Sequence, residues 1–377
     1  MKIESKNKPL VDLRQNGKYL EWVIQEFEGF LGILAGENPN PLQVEIHPYH
    51  WSQKLPCSNN CIYCTGQTYR ESFKNGNIRG IKQKSLIKLI RDVKGKVKRI
   101  LLSGNNTEPL LYPYIPKVLD EILKNNLNFF LYTNFYNGNK EIREILVNGD
   151  SNDFVRISLD AGLPNSYNKV HNPLDKNSFN IICKNLEELI KLKENRNSDL
   201  NVYIHYLLTK DNSLKNELES IVNWAFNTGV EVFQFSIPQK PLTIELKKED
   251  YSAIMSLKTY ERVKDNLLNL KEKMNGKIRL GLFEPLRKQK IKTFNRCFIQ
   301  QIVAVIGYNG LLYPCTSVAG EKFKHLAYGD INKEDFFDIW NSKNRIDRLN
   351  FDLSNCPDCT RFEYSINEEL KYVKINK

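Results

Sequence analysis

Val44-Glu45-Ile46-His47 and, shortly after it, Pro56-Cys57-Ser58-Asn59-Asn60-Cys61-Ile62-Tyr63-Cys64 are the stretch from which the rest of this chain is read. A β-branched run ends, and the loop behind it carries three cysteines within eight residues. Three thiolates in so short a turn can converge on one iron–sulfur cluster, which cysteine sulfur holds. Three ligands, not four, leave one iron of a four-iron cluster without a protein ligand. The rival is zinc, which asks for four nitrogen or sulfur ligands. His47 and His50 lie upstream and could supply the fourth, but both are also explained as residues at a strand end, with Pro48 restricting the turn between them.

Outward from this loop, residues from about Gln43 to Phe235 alternate between short β-branched or aromatic runs and amphipathic ones. The strand-like runs are Val44–His47, Arg99–Leu102, Phe129–Thr133, Phe154–Leu159, Val202–Leu208 and Val230–Phe235. The clearest helix runs from Ser178 to Glu194. It puts Phe179, Ile182, Cys183, Leu186, Leu189 and Ile190 on one face, with Ser178 as its N-cap. Six such alternations imply parallel strands joined by helical crossovers. They predict an α/β fold, a partial (β/α)6 TIM-like barrel, with chemistry at the C-terminal ends of the strands. Residues 1–41 read as an N-terminal preface containing the amphipathic stretch Tyr19–Phe27, and 42–240 as the barrel. Residues 241–294 read as a helical bridge and 295–377 as a small C-terminal cysteine-rich domain.

The 377-residue chain is 41% apolar and 26% charged, which is ordinary for a globular protein and too apolar for disorder. No apolar run approaches the ~20 residues that span a bilayer. The start, Met1 to Lys8, carries charge without an apolar stretch behind it, so it does not read as a signal peptide, and a cytoplasmic location is expected. The net charge of +11 raises the question of nucleic acid, but the basic residues (Lys6, Lys94, Lys247, Lys290) are scattered and no aromatic stripe is interleaved with them. That argues against it. Eight cysteines without a secretion signal point away from disulfides, and their clustering points to metal.

The second cluster comprises Cys297, then Gly310-Leu311-Leu312-Tyr313-Pro314-Cys315, and later Cys356-Pro357-Asp358-Cys359. Four thiolates satisfy one auxiliary iron–sulfur cluster or a structural zinc. Cys183, on the apolar helix face, reads as core. Among the histidines, His171 follows the fourth-strand loop and could reach a substrate, while His205 lies mid-strand and reads as packed.

The spacing Cys57-x3-Cys61-x2-Cys64, with aromatic Tyr63 before the last cysteine, resembles the signature of the radical SAM superfamily. The likeness continues along the barrel. Ser103-Gly104-Asn105-Asn106-Thr107-Glu108-Pro109 resembles the family's Gly-Gly-Glu-Pro segment and implies that Glu108 meets the amino group of S-adenosylmethionine (SAM); here Asn105, Asn106 and Thr107 replace the usual glycines. Thr133-Asn134 resembles the pair that closes the third strand. Arg156-Ile157-Ser158-Leu159-Asp160-Ala161-Gly162 resembles the ribose and carboxylate motif, implying Ser158 as a SAM contact and Asp160 as either a cavity residue or the N-cap of the next helix. Asn212 stands where relatives often carry asparagine. The second cysteine group, with Gly329–Asn341 inside it, resembles the SPASM/twitch appendage in its shorter form, because no cysteine follows Cys359.

The resemblance implies a 4Fe–4S cluster at Cys57, Cys61 and Cys64 with SAM, and one auxiliary 4Fe–4S cluster at Cys297, Cys315, Cys356 and Cys359. It implies a flavodoxin- or ferredoxin-type electron donor. SAM would be cleaved reductively to a 5′-deoxyadenosyl radical, which takes a hydrogen atom from the substrate. A small molecule such as a carbohydrate or cyclitol, oxidised or epimerised, is favoured, because the preface is too short for the winged-helix domain that many peptide-modifying relatives carry. A ribosomal peptide or protein side chain is the alternative. A non-catalytic metal protein and an RNA-modifying enzyme complete the field.

Overall fold

The structure, a computed structural model, describes residues 19–64, 73, 78–105, 107–238, 257–274, 279–282, 292–350, 353 and 356–372. The six expected strands form within two residues of their predicted bounds: β1 (Gln43–Ile46), β2 (Arg99–Leu102), β3 (Asn128–Thr133), β4 (Phe154–Ser158), β5 (Asn201–Leu207) and β6 (Val232–Ser236). They pair in parallel and in sequence order. Parallel strands of this kind are covered on both faces, which is why β1, β2 and β6 are buried at every position.

The sheet extends past the six expected strands. β7 (Arg279–Leu282) pairs in parallel with β6, and β8 (Val303–Ile306) pairs in parallel with β1. β9 (Leu311–Tyr313) and β10 (Gly329–Asp330) then add antiparallel. Among the described residues, ten strands form one sheet in the order β10-β9-β8-β1-β2-β3-β4-β5-β6-β7, open between its edges, as a partial barrel is. The stretch expected to be a helical bridge therefore contributes a strand as well as a helix. Its residues 241–256, 275–278 and 283–291 lie outside the described ones. The cysteine-rich segment shares the barrel's sheet, through β8.

α1 (Tyr19–Glu26) precedes the barrel. The crossovers carry α2 (Gln83–Asp92), α3 (Ile115–Lys124), α4 (Lys140–Leu146), α5 (Pro164–His171), α6 (Ser178–Asn195), α7 (Lys215–Thr228) and α8 (Leu257–Met274), and α9 (Arg361–Glu369) lies near the C-terminal end. α3 shows why these helices dock: Ile115, Val118, Leu119 and Ile122 repeat at helical spacing and are all buried. They join Ile100, Leu102, Phe129, Leu131, Val155 and Ile157 from the sheet's outer face in one core. Each such side chain contributes roughly 1.5–3 kcal/mol by leaving water. Ser178 does not cap α6. Asn177 holds that position, and the Ser178 hydroxyl donates to the Asp175 carbonyl at 2.6 Å.

Period-two alternation turns the other set of strand residues inward. Leu101, Phe130, Phe154, Tyr203, Val303 and Val305 form a second core with Tyr19 and Trp22 of α1, Phe298, and Ile366 of α9. Tyr19 and Trp22 meet Phe362 edge-on at 5.4 and 5.9 Å. Beside them Arg99, ion-paired to Glu26, lies over the rings of Trp22 and Phe130.

Candidate active site

The cysteine loop after β1 is tied down along its length. Pro56 accepts from the Glu108 amide at 2.8 Å, Ser58 from Leu174 at 3.1 Å, and the amides of Asn60 and Ile62 donate to His171 and Val170 at 2.8 and 3.1 Å. The buried Asn59 side chain donates to the Tyr167 hydroxyl at 3.0 Å. So fixed, Cys57, Cys61 and Cys64 are half-buried and line one large cavity of about 1490 Å³. Donors already face the sulfurs: the Asn59 amide is 3.4 Å and Asn134 Nδ2 3.9 Å from Cys57 Sγ. His171 Nε2–H donates to the Leu159 carbonyl at 3.2 Å, which leaves Nδ1, 3.1 Å from Cys61 Sγ, as an acceptor from that thiol. Burial, against that carbonyl, pushes the His171 imidazole down to about 3, so it is neutral at ordinary pH. His171 thus holds the cysteine loop and also lines the cavity. The two amide donors at Cys57 Sγ suit a thiolate, the form that ligates iron.

The residues expected at the SAM side gather next to this loop. Glu108 is buried, and its carboxylate accepts from the Thr133 hydroxyl, from the Asn134 amide at 2.8 Å and from the Leu110 amide at 3.1 Å. Burial outweighs those bonds and pushes Glu108 up to about 7. The Asn134 side chain also donates to the Ser58 hydroxyl at 3.0 Å, joining the end of β3 to the cysteine loop. Gly104 has a local reason. A Cβ there would lie 2.2 Å from the Thr107 carbonyl oxygen, so the segment before Glu108 turns tightly despite lacking the family's other glycines. Asn106 lies outside the described residues.

Asp160 is buried with φ +46°, and it does not cap α5, whose N-cap is Leu163. Its carboxylate accepts from Tyr63 at 2.5 Å and from the Leu207 amide at 2.6 Å, tying the loop before Cys64 to β5. Burial outweighs these bonds and the nearby Arg156 and lifts Asp160 to about 7. Asn212 is fully buried and spends its side chain on the backbone of Asp160, Leu207 and Thr209, so it shapes the β5 loop instead of meeting a ligand. Ser158 lines the cavity at the end of β4.

Deeper in, the inward positions are polar. Register sets Tyr132 beside Arg156, Ser158 beside His205, and His205 beside Gln234. The reading of His205 as a packed strand residue is corrected here: it lines the cavity and its Nε2 is 2.9 Å from the Ser236 hydroxyl. Glu45, on β1, bonds His47 at 2.9 Å, Ser103 at 2.7 Å and Thr316 at 2.7 Å. Burial would raise its carboxyl, but those bonds and the His47 charge hold it below the ordinary range. His47 is thereby engaged away from the cysteines. Thr316, Thr360, Arg361, Phe362 and Glu363 close the cavity from the C-terminal segment. None of these five was expected from the sequence; the nearest signal was that Thr316 follows Cys315 and Thr360 follows Cys359.

The second cysteine group sits apart. Cys297, Cys315, Cys356 and Cys359 surround a void of only about 20 Å³ with Phe294, Pro314, Val318, Leu353 and Pro357. Burial pushes the Cys297 thiol up to about 11 and raises Cys315 and Cys359 as well, each cysteine adding to its neighbours' cost of ionising. Lys292 donates to the Cys356 carbonyl at 2.8 Å, and Asn367 Nδ2 is 3.7 Å from Cys297 Sγ. Four thiols held together among apolar side chains ionise readily only around a cationic centre. Cys183 is half-buried, packed against the outer core, and burial pushes it up to about 12.

Residues 56–225 match the radical SAM superfamily, and residues 297–360 match SPASM, an iron–sulfur cluster-binding domain. The chain belongs to the radical SAM superfamily and is an enzyme of that class with a C-terminal SPASM region. It works with a 4Fe–4S cluster and SAM, and with auxiliary iron–sulfur in the SPASM region. No curated protein matches it by sequence. In structure it is similar to SuiB of Streptococcus suis, with a TM-score of 0.57 at 15% identity over 91% of this chain and 73% of that one. SuiB bound to S-adenosylmethionine gives 0.58 at 14% identity, over 92% and 72%. SuiB bound to precursor peptide SuiA gives 0.60 at 14% identity, over 91% and 72%. No helix among the described residues is long and apolar enough to cross a membrane.

Proposed function

We infer that Cys57, Cys61 and Cys64 hold the cluster that meets SAM, that Cys297, Cys315, Cys356 and Cys359 hold one auxiliary cluster, and that a hydrogen atom is taken from a small polar substrate in the barrel. One observation carries this reading. A single cavity of about 1490 Å³ runs from the cysteine trio, past Ser158, Arg156 and His205, to the start of α9.

When bound, the cluster and SAM supply the one-electron cleavage that makes the radical. The chain's own residues do the rest. Glu108, positioned by Thr133 and Asn134, takes the SAM ammonium, and Ser158 meets the ribose or carboxylate. Tyr63 and Asp160 lock the cysteine loop to β5. β8 and α9 shield the open side of the barrel from water. Arg156, His205, Gln234 and Ser236 give the inner cavity hydrogen-bonding walls, which suits a hydroxyl-rich molecule such as a carbohydrate or cyclitol. The second reading, a polypeptide side chain, draws on the likeness to SuiB bound to its precursor peptide. A flavodoxin- or ferredoxin-type protein would deliver the electron. The test is anaerobic incubation of the reconstituted protein with SAM and dithionite. The expected product is 5′-deoxyadenosine, and its absence would overturn the reading.

A further inference from the structure

The cavity does not end beneath the cysteine rim. Alternate residues line it along whole strands: Asn128, Phe130 and Tyr132 in β3, and Phe154, Arg156 and Ser158 in β4. Pairing sets the inward side chains in tiers. Ser158, His205 and Gln234 form the tier nearest the cysteines. Glu45, Leu101, Phe130 and Phe154 form a lower one. Gln43, Arg99 and Asn128 form the lowest, at the N-terminal ends of β1, β2 and β3. All three of these line the cavity too. From Asn128 up to Asn134, which bonds the cysteine loop, the chain rises about 20 Å.

At that lower end the cavity meets solvent. Ser151 and Asn152, just before β4, line it and are exposed, and Asn128 beside them is half-buried. α1 contributes the exposed Glu21 and Gln25 to the same lining, and exposed Lys98 stands before β2. Glu21 and Glu26 balance Lys98 and Arg99 in sign, and Glu26 is ion-paired to both cations, so this mouth is polar with little net charge. Inside it the walls turn apolar: Trp22 of α1, Leu101, and Phe130 and Phe154 stacked at 3.9 Å. Gln43 interrupts them. It is 1% exposed and lines the cavity, yet no described group donates to its Oε1. Buried side-chain oxygens nearly always have a donor, and leaving one without is costly. A terminal amide turns easily about its last torsion, so Gln43 can meet a ligand lying in this throat.

We propose that the barrel has two entrances: SAM comes in at the cysteine rim, and a neutral, hydroxyl-bearing substrate comes in at the N-terminal ends of the strands, with the Gln43 amide as its hydrogen-bonding partner in the throat. This deepens, and rests on, the reading of the cavity as the substrate site with Glu108 and Ser158 as SAM contacts. SAM held by those two residues lies between the rim and the lower tiers. A rim entrance alone would then force the substrate to bind first. A second mouth frees the order of binding and lets product leave while the fragments of SAM stay. The throat's rings bury the C–H faces of a cyclic polyol, and its hydroxyls turn to Gln43 and to the uncharged side chains of the mouth.

The test uses the full-length, anaerobically reconstituted protein carrying Leu101→Cys, a reporter in the throat. Alkylation of position 101 by iodoacetamide is followed by peptide mass spectrometry, with and without saturating SAM. The rate should be much the same with SAM bound. Asn152→Trp and, independently, Gln25→Trp should each slow it severalfold by narrowing the mouth. Excess myo-inositol or glucose should protect position 101, and Gln43→Leu should remove that protection. Nothing described donates to Oε1, so Gln43→Leu should leave the melting temperature unchanged or raise it, as a purely structural residue would not. Circular dichroism checks that every variant folds. A position 101 that never reacts, alkylation blocked by SAM, or alkylation indifferent to both tryptophans would overturn the second entrance. Failure of both polyols to protect, or protection that survives Gln43→Leu, would overturn the assignment of the throat. Formation of 5′-deoxyadenosine by the wild-type protein, without these probes, tests the underlying enzyme reading separately.

Discussion

Cys57, Cys61 and Cys64 stand at the rim of a cavity of about 1490 Å³, whereas Cys297, Cys315, Cys356 and Cys359 close around about 20 Å³. The first group is met by polar groups, the donors Asn59 and Asn134 and the ring nitrogen of His171, and opens toward Glu108 and Ser158. The second is packed by Phe294, Val318, Leu353 and two cysteine-flanking prolines, Pro314 and Pro357. Ligand count and surroundings agree. Three thiols beside a roomy polar space leave a place for an incoming molecule, and four thiols in a tight apolar pocket leave none. The two sites differ in what can approach them, which is why we propose radical generation at one and electron transfer at the other.

The strongest way to break that contrast is to remove each group in turn. Cys57/Cys61/Cys64→Ala should abolish 5′-deoxyadenosine formation and lower bound iron from about eight to about four per chain. Cys356→Ala with Cys359→Ala should lower iron by a similar amount while leaving SAM cleavage measurable, and should stop net turnover of any substrate. Iron and sulfide analysis with product assay reads both. Equal loss of cleavage in the two variants, with both folded, would erase the distinction.

Glu108 sharpens the comparison from the SAM side. Its carboxyl is pushed up to about 7, chiefly by burial, and only its ionised form pairs with an ammonium. SAM affinity should therefore rise with pH through about 7, by about tenfold between pH 6 and pH 8. In Glu108→Gln that dependence should flatten; an unchanged slope would place the titrating group elsewhere. The sign for stability is the reverse. A raised carboxyl stabilises the fold most below its ordinary value of 4.5, and this contribution fades as pH rises through about 7. The smallest effect expected is that of Gly104→Ala. A methyl 2.2 Å from the Thr107 carbonyl forces the loop to shift, costing about 1–3 kcal/mol and weakening SAM binding through Glu108, with iron content at both groups unchanged. Thermal melting and SAM titration check it.

Much of the first site was legible because its chemistry is written in short spacings. The cysteine loop, Glu108, Thr133-Asn134, Ser158 and Asp160 each close or follow a strand, and alternating strand and helix bring strand ends together. What escaped the sequence depends on partners far along the chain. Val303-Ala304-Val305-Ile306 is a four-residue apolar run whose period cannot tell strand from helix, yet as β8 it closes against β1 and brings Thr316 and Arg361 to the cavity. Arg279–Leu282 contains Gly281 and a single turn's worth of residues, so β7 was hidden inside an apparently helical stretch. His205 was misread because a parallel strand is buried on both faces, and nothing local says which face is the cavity.

We propose that the rim trio leaves a place for SAM while the enclosed four do not. Electron paramagnetic resonance of the dithionite-reduced, reconstituted protein, recorded before and after adding SAM, tests it most directly. One of two reduced-cluster signals should change on SAM addition, the other should stay as it was, and the responsive one should be missing from Cys57/Cys61/Cys64→Ala. Spectra that ignore SAM, or a SAM response that survives in that triple variant, would contradict the claim.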